Sequence, residues 1–205
     1  MARTTHPTAP TADSSPLVRL CGAVHVVSAA LWAGVVLMAS ATAAVSFPTM
    51  KELGPTLATF APFDGEHWPI AAGKVANRVF MIADAAQLVL AVAAVGTGGY
   101  LAFRERLGGR VLGIVRLVLF GLGLGLLGFQ IFFLRPKMDV DLEAYWRAAA
   151  EGQAQAAETA RAAFNARHPT ASNLMAGTAA AAFGIAATGA WAGTRPTTRA
   201  AGAAS

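Results

Sequence analysis

Apolar positions in this chain come in long unbroken runs rather than in alternation. No charge occurs from Leu20 to Met50, and the best apolar core of that run is 20–47. The stretch 79–103 holds one acid, Asp84; 111–134 holds one base, Arg116; and 172–193 holds neither. A helix needs about 20 apolar residues to cross the hydrocarbon core of a bilayer, and each stretch meets that length. A helix on a soluble core would show a polar face every turn, and these do not. The pattern predicts an all-α integral membrane protein, a four-transmembrane-helix bundle.

Between the third and fourth runs lies a polar, alanine-rich segment, 139–167, with Leu142, Tyr145, Trp146, Ala149 and Phe164 near helical spacing. Alanine, glutamate and arginine favour helix. The third span is therefore expected to run on as an extramembrane helix, or to be followed by a surface helix, with a break at Gly152. Tyr145 and Trp146 suit headgroup depth, where aromatic rings collect. Arg3 and Arg19 precede the first run, and Ala39-Ser40-Ala41 resembles a signal cleavage site. A signal's apolar region spans only about 7–15 residues, so a retained helix is expected. Residues 1–16 and 194–205 are rich in Thr, Pro, Ala and Ser and read as disordered tails. That leaves 17–193 as one membrane domain.

Composition supports the bilayer reading. Hydrophobic residues make up 55% of the chain and charged residues 13%, about half the charged share of a soluble domain. The net charge of +5 is scattered without a basic run, which points to loops at a lipid surface and away from nucleic acid. A lone cysteine, Cys21, excludes an internal disulfide. Arg3, Arg19, Arg104, Arg106, Arg110, Arg195 and Arg199 fall on the terminal side. Lys51, Lys74, Arg78, Arg135, Lys137, Arg147, Arg161 and Arg167 fall on the other. The two sets nearly balance, but three arginines crowd the short Arg104–Arg110 link, which favours both termini in the cytoplasm.

Helices in lipid associate through close backbone approach. Gly121, Gly125 and Gly128 share a face of the third span, and Ala180, Gly184 and Thr188 repeat on the fourth, with Gly177 and Ala181 nearby. Intramolecular packing is the expected use. The same faces are the candidate surfaces for a second copy or a protein partner.

Ionisable groups at membrane depth are functional candidates by default. Asp84 shares a helical face with Asn77 and Gln87, while Arg116 sits nearer the other membrane side. A direct Asp84–Arg116 pair is therefore not expected; Arg78 or a base in the long loop is the expected partner. Two roles stay open, an interhelical pin and a proton or ion relay. Cys21, His25, Ser28 and Trp32 form one stripe on the first span. Cys and His one turn apart suit a soft metal, and a membrane His suits haem. His25 lies towards the terminal side, whereas His67 and His168 lie on the opposite side. An interhelical hydrogen bond is thus the expected role of His25, and no metal or cofactor is expected; His25, His168 and Cys21 are the candidate ligands should one exist. The chain has no P-loop, no HExxH and no GxSxG.

The order of several motifs resembles the transmembrane protein 205 family, small four-helix membrane proteins without established chemistry. The first span carries His25-Val26-Val27-Ser28-Ala29-Ala30-Leu31-Trp32, and Ala72-Gly73-Lys74-Val75-Ala76-Asn77-Arg78-Val79-Phe80 leads into the second. Leu134-Arg135-Pro136 closes the third, and Phe164-Asn165-Ala166-Arg167-His168, then Ser172-Asn173, leads into the fourth. The similarity covers most of 17–193. The chain departs from the pattern at 62–69, which looks like an insertion, and at Asn77, where relatives often have Gly. The resemblance implies a four-span fold and marks His25, Trp32, Asn77, Phe80, Pro136, His168 and Asn173. Ordinary structural roles are expected for several of these. Pro136 would stop or kink the helix, and Asn173 would bond across helices. Beside them, Pro169 would sit in the first turn of span four, capped by Thr170 or Ser172. The functional expectation is a non-enzymatic protein of the bacterial inner membrane. Its rivals are a metal or haem redox component using His25 and His168, and a small channel or transporter around Asp84 and Arg116.

Overall fold

The computed structural model describes residues 15–105 and 110–194, and these are 91% helical with no strand among them. Helix α1 spans Pro16–Leu53, α2 Trp68–Glu105, α3 Arg110–Phe129, α4 Arg135–Ala150 and α5 Ala154–Thr194. A π-helical turn, Gln130–Leu134, joins α3 to α4 without a break, so the two form one rod. The result is four helical rods long and apolar enough to cross a membrane. Most of the expected tails, together with Arg3, Arg106, Arg195 and Arg199, lies outside the described residues.

All four rods overshoot the runs that announced them. Helix α1 has 38 residues, about 57 Å at 1.5 Å per residue, against a hydrocarbon core of about 30 Å. It starts where the Ser15 side chain accepts from the Val18 N–H and Pro16 occupies the first turn, and it ends at Gly54, whose φ of 55° only glycine adopts cheaply. The surplus length gathers at one end of the bundle. There the C-terminus of α1, the N-terminus of α2, α4 and the first half of α5 build a cap over the apolar belt. The expected extramembrane helix is α4, and Gly152 breaks the chain as anticipated, with a φ of 72°.

Three local expectations are corrected. Pro136 does not stop its helix: the chain runs through it, because the widened π turn just before supplies the space its ring needs and absorbs its missing N–H. Helix α5 begins at Ala154 rather than 172, so Pro169 lies in the helix interior. Ser172 accordingly caps nothing, and its hydroxyl donates to the His168 carbonyl one turn back. Asn173 is exposed on α5 and makes no hydrogen bond to another helix among the described residues. An alanine-rich polar segment continues a helix as well as an apolar one does, so charge marks the membrane edge without marking the helix end.

Helix α1 packs against α2 and α5, and α5 against the α3–α4 rod, while α2 and α3 meet at few positions. The glycines divide differently from expectation. Gly121 and Gly125 face outward with open space around them, and the packed glycine of α3 is Gly123, where a Cβ would lie 3.1 Å from the Trp32 ring. On α5 the small residues do receive a partner: Leu126 seats at Gly177, and Leu119 at Gly184. The buried membrane core is Ala29, Trp32, Ala33, Val36, Ala91, Ala94, Leu127 and Ile185 with their neighbours. A second core in the cap holds Phe60, Ile70, Leu142, Tyr145, Ala149 and Ala157. The 62–69 segment fastens the cap. The His67 ring accepts the Leu57 N–H through Nδ1 at 2.9 Å, which leaves Nε2 to donate to the Phe63 carbonyl.

Candidate functional site

A chain of hydrogen-bonded polar groups crosses the bundle interior. The Trp32 indole N–H donates to Gln87 Oε1 at 3.3 Å, and Gln87 Nε2 donates to Asp84 Oδ1 at 3.4 Å. Gln130 Nε2 donates to the same oxygen from the π turn at 3.3 Å. Arg135 reaches Asp84 at 3.8 Å, Asp139 at 3.0 Å and the Asn77 carbonyl at 3.2 Å, and also donates to Asn77 Oδ1. Directions along this chain are fixed from both ends. An indole only donates and a carboxylate only accepts, so Gln87 must turn its oxygen to Trp32 and its nitrogen to Asp84. The same logic turns the Gln130 nitrogen to Asp84 and its oxygen away.

Local structure explains how these groups meet. Asn77, Asp84 and Gln87 lie on one face of α2 at helical spacing. Gln130 and Arg135, five residues apart, would diverge on an α-helix. In the π turn the Arg135 N–H bonds to the Gln130 carbonyl, which stacks the two positions and aims both at Asp84. With two carboxylates around one guanidinium, Arg135 is neutralised where it stands.

This network borders a cavity of about 720 Å³ at the cap end, lined by residues from all the rods and partly open to the outside. Its walls are mainly apolar, with Phe47, Phe80, Leu134, Phe164 and Met175 prominent, and Asn77, Arg135, Tyr145, Asn165 and His168 supply polar points. Gln130 also lines it. The Gln130 side chain is buried and its Oε1 has no hydrogen-bond partner. Groups of that kind nearly always find a partner.

The sequence-marked residues thus sort into two ends of the bundle. Trp32, Asn77 and Asp84 belong to the polar network, with Pro136 just beyond the π turn; Phe80 and His168 line the cavity above it. At the far end, His25 Nδ1 bonds to the Ala94 carbonyl at 2.9 Å, with Phe120 at 5.8 Å. Its ring fills the space that a Cβ at Gly98 or Gly189 would need. The His25 stripe faces inward: His25, Ser28 and Trp32 are buried, and Cys21 is half-buried. Arg116 donates to the Thr188 carbonyl at 2.7 Å near that same end. Asp84 and Arg116 therefore do not meet. His168 lies 21 residues before Gly189 on α5, roughly 30 Å along the axis, so His25 and His168 cannot share a ligand. Among the described residues, no three His, Cys, Asp or Glu side chains group around a point that could hold a metal.

Sequence reasoning left the partner of Asp84 open between Arg78 and a base of the long loop. The structure selects Arg135, the first base after the third run, and Gln130 was missed altogether. Arg135 read as loop charge because it ends an apolar run, and Gln130 carries no charge to notice. The available signal was Pro136, since a widened turn is one way a continuing helix accommodates a proline. No known family, curated protein or solved structure matches the chain.

Proposed function

We propose that this is a non-enzymatic membrane protein that holds one small amphipathic molecule in the cavity at the cap end. The observation that carries this reading is the cavity itself, an apolar space into which Asn77, Tyr145, Asn165 and His168 bring polar groups beside Gln130. A ligand with a hydroxyl or amide head would pair with these groups, and the apolar walls suit a hydrocarbon or ring portion. Binding sites generally combine an apolar pocket with a few convergent polar groups. Because Asp84 and Asp139 already neutralise Arg135, an uncharged or zwitterionic head fits better than a free anion.

The test is native mass spectrometry on protein extracted in mild detergent, comparing the wild type with Gln130→Leu. A bound species of a few hundred daltons in the wild type, lost in a variant with unchanged thermal unfolding, supports the reading. An empty wild type that also fails to take up a fluorescent fatty alcohol overturns it.

Within the same proposal, the chain is a distant member of the transmembrane protein 205-like group, supported by the ordered motifs at 25–32, 72–80, 134–136 and 164–173. Its membrane is the bacterial inner membrane with both termini cytoplasmic, a reading that rests on the arginines of the Arg104–Arg110 link. Reporter fusions after residue 205 and within 55–66 test the orientation. A periplasmic signal from the first and a cytoplasmic signal from the second would reverse it.

A further inference from the structure

A second recess lies on the outer surface of the bundle, between α2 and α4. It measures about 320 Å³ and is lined by Lys74, Val75, Asn77, Arg78, Met81 and Trp146. Only Asn77 is shared with the inner cavity. Lys74 and Arg78 sit one turn apart on α2 and are both exposed. Neither makes an ion pair among the described residues. The Lys74 ammonium is held 4.9 Å over the Trp146 ring and 5.2 Å from Phe60, a placement that fixes a long side chain which would otherwise wander. Trp146 Nε1 is buried and has no partner. Two cations thus border the recess beside the Trp146 ring, and no carboxylate does.

The recess sits where the apolar belt begins. Immediately membrane-ward on α2, Met81 and Ile82 are 59% and 72% exposed, a surface that only acyl chains cover in a bilayer. A hydrated small anion would satisfy the donors but leave the Val75 and Met81 walls without a partner. A phosphodiester carrying its own hydrocarbon satisfies both. We propose that the recess is a binding site for one anionic phospholipid of the surrounding bilayer. Its phosphate lies between Lys74 and Arg78 beside the Trp146 ring, and its acyl chain runs down Met81 and Ile82. This site is independent of any molecule in the inner cavity.

The test is native mass spectrometry of the detergent-purified full chain, titrated with phosphatidylglycerol or with phosphatidylcholine of identical acyl chains. The wild type should retain phosphatidylglycerol preferentially. The double variant Lys74→Gln/Arg78→Gln should lower that retention about tenfold and leave phosphatidylcholine unchanged, since each juxtamembrane base contributes appreciably to anionic-lipid attraction. A double variant of equal charge loss at the other side, Arg19→Gln/Arg104→Gln, should keep the preference. Trp146→Phe, which keeps an aromatic face for Lys74 but removes the N–H and the fused ring, should give a smaller loss and serves alone should the double variant fail to fold. Millimolar inorganic phosphate should not displace the lipid. The proposal is overturned by equal retention of the two lipids, by wild-type retention in the Lys74/Arg78 variant or, should that variant not fold, in Trp146→Phe, by an equal loss in the Arg19/Arg104 control, or by displacement with phosphate.

Discussion

The two ends of this molecule are packed on opposite plans. In the membrane half the core is mostly alanine, with Trp32 set among Ala29, Ala33, Ala91, Ala94 and Ala182 and only a few branched aliphatics, Val36, Leu127 and Ile185, beside it. In the cap, Phe60, Ile70, Leu142 and Tyr145 carry the core over a base of small residues. The solvent accounts for the difference. Lipid gives buried apolar area no advantage, so helices there gain by approaching closely and filling space. Beyond the belt, water restores a gain of about 25 cal/mol for each Å² of apolar surface removed, and large side chains become worth burying. Polar groups divide in the same way. The membrane half holds polar side chains in hydrogen bonds, in the network around Asp84 and at His25–Ala94 and Arg116–Thr188. The cap instead carries ion pairs that water partly screens, Arg161–Glu158 at 2.8 Å and Arg167–Asp141.

From that contrast, the largest single effect belongs to Trp32. Trp32→Ala should lower stability by about 3–5 kcal/mol through the cavity it opens, read as denaturant unfolding in micelles. Trp32→Phe, which orphans Gln87 Oε1 and leaves the volume of the fused ring empty, should cost about 2 kcal/mol. Similar losses for the two would mean that the hydrogen bond and the fused ring, not the whole side-chain volume, govern this core. Next comes Asp84→Leu, which leaves two glutamine N–H groups without an acceptor and Arg135 short of a carboxylate. A loss of about 2–3 kcal/mol is expected in the same assay, and a neutral result would show the network to be incidental to the fold.

How far these positions could be read from sequence follows from the same contrast. The spans were legible because lipid forbids charge, and the Asn77–Asp84–Gln87 face was legible because it keeps helical spacing. Gln130 and Arg135 were not, since their meeting depends on a π turn that shifts the register. Helix α5 began earlier than expected for a related reason. Residues 154–171 are polar enough to leave the bilayer, yet rich in alanine, and Pro169 is tolerated inside the helix rather than opening it. Gly123, rather than the conspicuous Gly121–Gly125 pair, became the packing glycine because the position facing Trp32 is set by tertiary rotation, which a motif does not encode.

In the cap, Gly152→Ala tests the backbone rather than the core. Its φ is 72°, and a Cβ would meet the Pro62 carbonyl oxygen at 2.9 Å, so a loss of about 1–2 kcal/mol is expected from the left-handed conformation alone, measured as a shift in thermal unfolding. The smallest effect should come from Glu158→Ala. That pair is largely exposed, and such pairs contribute at most about 1 kcal/mol and often nothing measurable. A loss there as large as that of Asp84→Leu would erase the distinction between the two ends.

The π turn gears the two ends together. One residue of surplus in that turn offsets every position after it by about 100° relative to a uniform α-helix. The α3 portion of the rod is clocked to Trp32 and α5, and the α4 portion to Asn77 and the cap, from a single continuous strand of backbone. Straightening the turn to a uniform α-helix at unchanged chain length would swing the Arg135 guanidinium about 100° off Asp84. Deleting one of Ile131, Phe132 or Phe133 would instead remove the surplus and keep Gln130 and Arg135 on one face. The alignment of the polar network with the cavity walls is thus a matter of counting, written into the chain length between Phe129 and Pro136.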